Sequence, residues 1–184
     1  DEYFPVFPEP DKLCDVLFMG NRMPDREQRV RDLFFVAAEL SPGSSFALGG
    51  NGWGDVPMPP NVRWIGHVPT GDHRAWNCSA RLVLNINRAD MAATGFSPPT
   101  RVFEAAGCGA CVVTDAWDGI STFFAQGSEI LVASSAADIA SFLQIDRHSA
   151  SSIGAAARRR VLAEHTYARR AENFDAALVL ELVR

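Results

Sequence analysis

The stretch SPPTRVFEAAGCGACVVTD, residues 97–115, reads as a buried helix that leads directly into a buried strand. Its helical half is rich in small residues and opens at Pro99. Its second half, ACVVTD, is a near-continuous apolar run that turns polar only at its end. A strand of that kind is covered on both faces, as in a parallel sheet flanked by helices.

The same alternation extends outward in both directions. LCDVLFM, residues 13–19, is a buried strand, followed by the polar turn GNRMPD. A helix begins near Asp25 and ends before Ser41-Pro42-Gly43, with Val30, Leu33, Phe34, Ala37 and Leu40 on one face. Asp25 and Gln28 have the spacing of a capping box and are expected to open that helix. SSFALG and NVRWIGHV supply the second and third strands, GDHRAWNCS a helix, and RLVLNIN a fourth strand. ACVVTD is the fifth. A short helix near residues 121–125, the strand SEILVA, and helices near residues 136–144, 151–164 and 167–182 complete the chain. The expected fold class is α/β: a doubly wound parallel sheet, Rossmann-like, in one domain over residues 13–184. Residues 1–12, aromatic and proline-rich, read as a linker arriving from an upstream domain.

The 184 residues are enough for one well-buried core, and 47% of them are hydrophobic. A net charge of -5 offers no basic footprint for nucleic acid, so an anionic ligand must be met by local cations. No transmembrane segment is expected, since no apolar run approaches the roughly 18 residues that span a bilayer. The start lacks the pattern of a signal peptide, and the location is read as cytoplasmic. The four cysteines, Cys14, Cys78, Cys108 and Cys111, suit small core positions better than a disulfide framework.

In a doubly wound sheet the ligand lies beyond the carboxyl ends of the strands, near the point where strand order reverses. Those ends carry Gly20-Asn21-Arg22, Gly66-His67-Val68, Asn85-Ile86-Asn87-Arg88 and Asp115-Ala116-Trp117. Pro99 suits a first helical turn, which places Thr100 and Arg101 at the N-terminus of the following helix. A cation there opposes the helix macrodipole, and a bound diphosphate resolves the conflict. The competing explanation is an Arg101–Glu104 pair within the helix, worth about 0.2–0.5 kcal/mol. Glu104 precedes Ala105, Ala106 and Gly107, where close packing makes a lone carboxylate costly. Two acceptor oxygens there suit the adjacent hydroxyls of a ribose.

Other patterns have simpler explanations. GGNGWG, residues 49–54, has the glycines of a dinucleotide fingerprint, but MPP follows where a helix is required, so it reads as a loop. Cys108-Gly109-Ala110-Cys111 has redox spacing, yet it lies between a helix and the next strand, where two packed cysteines are expected. Arg158, Arg159 and Arg160 read as a solvated helix face. Thr166 is expected to cap the last helix.

GNRMPDR, NVRWIGHVP, LVLNINRADM, GFSPPTRVFEAAGCGACVVTD, SEILVA and AEHTYARRAENF together resemble successive blocks of the CgeB-like (spore-maturation protein) glycosyltransferases. More broadly they resemble the C-terminal half of retaining, glycosyltransferase-family-1-like GT-B enzymes. The likeness runs from about Leu13 to Phe174. It implies a nucleotide-sugar donor as substrate, with Glu104 on the ribose hydroxyls and Arg101, Arg88, Gly20 and Asn21 near the diphosphate or sugar. Arg26, Ser97, Thr100 and His67 complete the expected donor-binding set. No cofactor and no metal are implied.

Many retaining members carry a second glutamate eight residues before the ribose glutamate, and here that position is Phe96. A complete GT-B enzyme has two such domains. The resemblance therefore implies a hexosyltransferase-like protein whose N-terminal, acceptor-binding half is missing here, and which is inactive as this half alone. A non-catalytic nucleotide-binding module and a sugar-nucleotide epimerase are the alternatives on the same scaffold. The stripe Tyr167, Ala171, Phe174, Leu178 and Leu182 on the last helix is expected to be exposed in part, facing the other half.

Overall fold

The computed structural model describes residues 3–182. All its strands are parallel, in one sheet of order β3-β2-β1-β4-β5-β6. They are β1 (Cys14–Met19), β2 (Phe46–Gly49), β3 (Val62–Gly66), β4 (Ala80–Asn85), β5 (Val112–Asp115) and β6 (Leu131–Ala133). The order reverses between β1 and β4, so the connections leave those two strands on opposite sides and open a crevice at their carboxyl ends.

Alternate residues of each strand feed two cores. Val16, Phe18, Leu82, Leu84 and Val113 pack on one face beneath α1 (Pro24–Val30), α2 (Val36–Leu40) and α6 (Ala136–Phe142). Leu17, Met19, Val83 and Val112 pack on the other beneath α3 (His73–Ser79), α5 (Thr100–Gly107) and α7 (Arg147–Arg160). Each fully buried side chain of this size contributes about 1.5–3 kcal/mol, which is why both faces of the strands must be apolar.

Several boundaries differ from expectation for local reasons. Pro24 occupies the first position of α1 with Met23 as its N-cap, so Asp25 lies inside the first turn and forms no capping box. A π-helical turn over Arg31–Phe35 joins α1 to α2. Pro99 is the N-cap of α5, so the helix starts one residue later than expected, and no side chain caps it. α7 begins at Arg147 because Asp146 caps it, accepting from the Ser149 N–H at 2.9 Å. The helix α4 (Ala89–Thr94) was not anticipated, and the element near residue 121 is a single 3-10 turn, Ile120–Thr122.

The arginine run at the end of α7 is only partly a solvated face. Arg158 Nε donates to the Gly107 carbonyl at 3.2 Å and Arg160 Nε to the Phe123 carbonyl at 3.3 Å, tying α7 to the end of α5 and to the loop after β5. Thr166 Oγ1 accepts from the Arg169 N–H at 3.3 Å, capping α8 (Tyr167–Leu182). On that helix Tyr167, Phe174 and Leu178 are exposed. The side chain of Leu182 lies outside the described residues.

Gly154 sets how closely α7 packs. A Cβ there would stand 2.1 Å from the Gly109 carbonyl oxygen. Gly154→Ala is expected to cost about 2 kcal/mol through overpacking, lowering Tm by about 4–8 °C in thermal unfolding. An unchanged Tm would mean that α7 can move away at no cost.

Candidate functional site

The turn after β1 is held against the turn after β2. The Gly20 N–H donates to the Gly49 carbonyl, Trp53 Nε1 donates to the Gly20 carbonyl, both at 2.8 Å, and the Asn51 N–H donates to Asn21 Oδ1 at 2.9 Å. Gly50 has φ 124°, and a Cβ on it would come 2.4 Å from the Gly20 oxygen. The GGNGWG loop thus buttresses the β1 turn and does not open a helix. A Cβ on Gly20 would meet Arg26 Nη2 at 2.8 Å and Phe18 Cζ at 2.9 Å, so a side chain there would displace the arginine.

Two guanidinium groups converge over the end of β1. Arg26, from α1, lies 5.6 Å from the Phe18 ring centroid, and Arg101, from α5 across the crevice, lies 6.0 Å from the same ring. Arg26 Nη2 donates to the Asn21 carbonyl at 2.6 Å. Arg101 forms no ion pair among the described residues; Glu104 attracts it through its charge without a direct contact. Burial, and then the charge of Arg26, pull the Arg101 guanidinium down to about 10. Burial also lowers Arg26, and Arg88 adds to it. Two desolvated like charges beside an uncapped helix N-terminus are stabilised by an anion between them.

Unsatisfied polar atoms gather at the same place. Of the five buried side-chain N and O atoms without a partner among the described residues, three are Asp25 Oδ1, Arg26 Nε and Asn87 Nδ2. All three surround the carboxyl ends of β1 and β4. Buried polar groups are ordinarily paired, so a cluster of exceptions marks a place where a ligand or water completes the bonding.

Beneath the arginines lies a network that sequence reasoning missed. Asp115, buried at the end of β5, accepts from Arg29 Nη2 at 2.5 Å and from the Asn87 N–H at 3.1 Å. Asn85 Nδ2 donates to Thr114 Oγ1 and to Asn87 Oδ1. The signal was present as Asn85, Asn87, Thr114 and Asp115, polar residues ending apolar strands. The partner, Arg29, lies 86 residues from Asp115, and only the fold brings it near.

The other expected residues divide into two groups. Glu104 is half-buried on α5, its carboxylate without a hydrogen bond or ion pair among the described residues. Arg88 caps the start of α4 and is committed to Asp25, Nε to Oδ2 at 2.5 Å. Thr100 and Ser97 are exposed at the head of α5. His67 is exposed at the end of the edge strand β3, two strands from β1 and thus roughly 10 Å away. Phe96 stands between α4 and α5 in the left-handed region, φ 49°, with its ring 67% exposed and its N–H donating to the Asp118 carbonyl at 2.6 Å. A bulky residue in that conformation carries about 1–3 kcal/mol of strain, a feature that clusters at functional sites.

Among the described residues, no three His, Cys, Asp or Glu side chains come together as a metal site requires, and no helix is long and apolar enough to cross a membrane.

Residues 26–176 match the model of a family described as glycosyl transferase-like. A search of curated proteins found no match. Among solved structures, the whole chain superposes on 51% of sucrose-phosphate synthase from Thermosynechococcus elongatus, with a TM-score of 0.72 and 15% identity. Anabaena HepE in complex with UDP-glucose is matched over 84% of this chain and 49% of that protein, TM-score 0.63, identity 15%. The C-terminal domain of a glycosyl transferase group 1 family protein (LpcC) from Francisella tularensis is matched over 90% of this chain and 96% of that domain, TM-score 0.62, identity 13%. Identities this low establish the fold alone: the sheet and its helices correspond to one half of a GT-B architecture. The chain spans about half the length of the first of these proteins.

Proposed function

Because the chain belongs to the glycosyl transferase-like family, we propose that it is the donor half of a two-domain glycosyltransferase. It holds the diphosphate of a nucleotide sugar in the crevice between β1 and β4. The observation that carries this reading is the pair Arg26 and Arg101, two desolvated guanidiniums over one Phe18 ring, neither in an ion pair among the described residues. The start of α5 adds two N–H groups on the same side. Together they neutralise the charge of a departing diphosphate, the main electrostatic task in sugar transfer from such a donor. The arginines supply that charge without a metal, and no cofactor enters the proposal.

Glu104 takes the ribose hydroxyls. It lies one turn after Arg101 on α5, and its unpaired carboxylate can accept two adjacent O–H donors. Glu104→Ala is expected to weaken binding of the preferred nucleoside diphosphate about tenfold, 1.4 kcal/mol, in calorimetric titration. The 2′-deoxy analogue should bind the unaltered protein about tenfold more weakly and lose nothing further in the variant. Independent, additive losses would remove Glu104 from the ribose.

The match to about half of the longer solved proteins supports an acceptor-binding domain elsewhere in the protein, with catalysis needing both. The sequence blocks favour the CgeB-like branch. Free cysteines at all four positions suit the reducing cytoplasm. The test of function is titration of this domain with UDP, GDP, ADP and their sugars. Binding of one diphosphate in preference to the others supports the donor site and names the base, and equal indifference to all of them counts against it. Phe96 favours a second reading, a binding module without turnover, because an exposed strained aromatic stands where the resemblance places a glutamate. Sugar transfer by the two-domain protein would dismiss that reading. Donor consumption without an acceptor would point to an epimerase.

A further inference from the structure

The two remaining unpartnered buried atoms, Asn77 Oδ1 and Arg81 Nε, lie at the opposite end of the sheet from the arginine pair. Both residues line a cavity of about 240 Å³ at the amino ends of β4 and β5, bordered also by Pro5, Cys78, Cys108 and Arg147. Two thiols meet there. Cys78, next to last in α3, is half-buried; Cys108, the C-cap of α5, is buried. Cys78 Sγ lies 3.6 Å from the Cys108 carbonyl oxygen and accepts from the Val6 N–H at 3.4 Å, while Asn77 Nδ2 reaches Cys108 Sγ at 4.0 Å.

We propose that Cys78 and Cys108 are a redox-active pair that closes to an intramolecular disulfide when a hydroperoxide enters this cavity. The pairing joins the ends of two neighbouring helices whose cysteines already touch, Cys78 Sγ against the Cys108 carbonyl. Asn77 Oδ1 and Arg81 Nε, both unsatisfied, provide an acceptor and a donor for a small polar oxidant. The Cys78 sulfur attacks the peroxide; the O–O bond breaks, an S–O bond forms, and the departing oxygen leaves as water or an alcohol with the thiol proton. The Cys108 thiol then attacks that sulfur, forming the S–S bond and releasing water, so one peroxide is reduced for two thiols oxidised.

Mutual hydrogen bonding lowers the Cys78 thiol and raises that of Cys108, which makes Cys78 the first to react. Cys111 borders the cavity too, but burial pushes its thiol up to about 12, as it does for Cys14. The CGAC spacing therefore points to a different partner from the one in contact, which is Cys78, 30 residues from Cys108.

The unaltered chain is treated with hydrogen peroxide, its free thiols are alkylated, and its peptides are mapped without reduction. The expected result is a loss of two of the four thiols, one Cys78–Cys108 crosslink, and full recovery with dithiothreitol. In Cys108→Ser, dimedone should trap a sulfenic acid at Cys78. A Cys108–Cys111 crosslink, oxidation of Cys78 without a crosslink, or labelling of Cys78 no faster than of Cys14 would each overturn the proposal. The mapping uses the unaltered chain, so the answer does not depend on the variant folding.

Discussion

Arg101→Ala is expected to weaken nucleoside diphosphate binding by about 100-fold, 2.7 kcal/mol, while leaving thermal stability unchanged or slightly raised. The two halves of this result have one cause. In the free protein the guanidinium is desolvated and stands beside Arg26, and the charge of Glu104 offsets these costs only in part. Truncation therefore relieves desolvation and repulsion, against the loss of stem packing, the Phe18 ring contact and a partial attraction to Glu104. In the complex the same group faces a doubly charged ligand in a site of low dielectric, where a lost charge pair costs about 2–5 kcal/mol. Arg26→Ala should behave differently, since it also removes the hydrogen bond to the Asn21 carbonyl and loosens the β1 turn. Calorimetry paired with thermal unfolding separates the cases. If Arg101→Ala lowers stability and leaves affinity intact, Arg101 is structural and the anion site lies elsewhere.

The sheet was legible because its strands are buried on both faces. LCDVLFM, RLVLNIN and ACVVTD are continuous apolar runs, and only a parallel sheet covered by helices accommodates several of them in alternation with amphipathic helices. Helix ends were less legible. Asp25 has good capping geometry in sequence, but Pro24 takes the first helical position and frees the Asp25 carboxylate for Arg88, 63 residues away. α4 was missed since ADMAAT carries no apolar face; none of its residues is buried.

The candidate site was legible in its chemistry and not in its pairings. A cation and a carboxylate at the head of α5 could be recognised as unusual from the sequence, because the macrodipole and the small residues around them make both unfavourable. Whether they satisfied each other required coordinates. For His67, position after a strand suggested a ligand contact, and strand order, which sequence does not reveal, places that strand at the sheet edge. The Arg29–Asp115 bond and the Cys78–Cys108 contact were invisible for the same reason, since each joins elements that only the topology brings together.

Asp115→Ala should be the most destabilising single change at the site, about 4 kcal/mol at neutral pH, with a fall in Tm of about 8–16 °C. It strands the Arg29 guanidinium and the Asn87 N–H at once, and Asn87 leads directly into Arg88 and α4. Arg29 is a third exposed and can recover some water, which keeps the cost within the range for a broken ion pair. The pH dependence tests which force dominates. Burial raises the Asp115 carboxyl above its ordinary value, ahead of the opposing hydrogen bond from Arg29. A raised acid binds more protons folded than unfolded, so its contribution is full below the unfolded value and declines as pH rises through the folded one. The stability gap between the unaltered protein and Asp115→Ala should therefore be wider at pH 4 than at pH 7, compared at each pH by urea unfolding. A gap that widens towards neutrality would mean that the charge of Arg29 outweighs desolvation. Asp115 would then act chiefly as the counterion that keeps Arg29 from joining Arg26 and Arg101 as a third cation at the crevice.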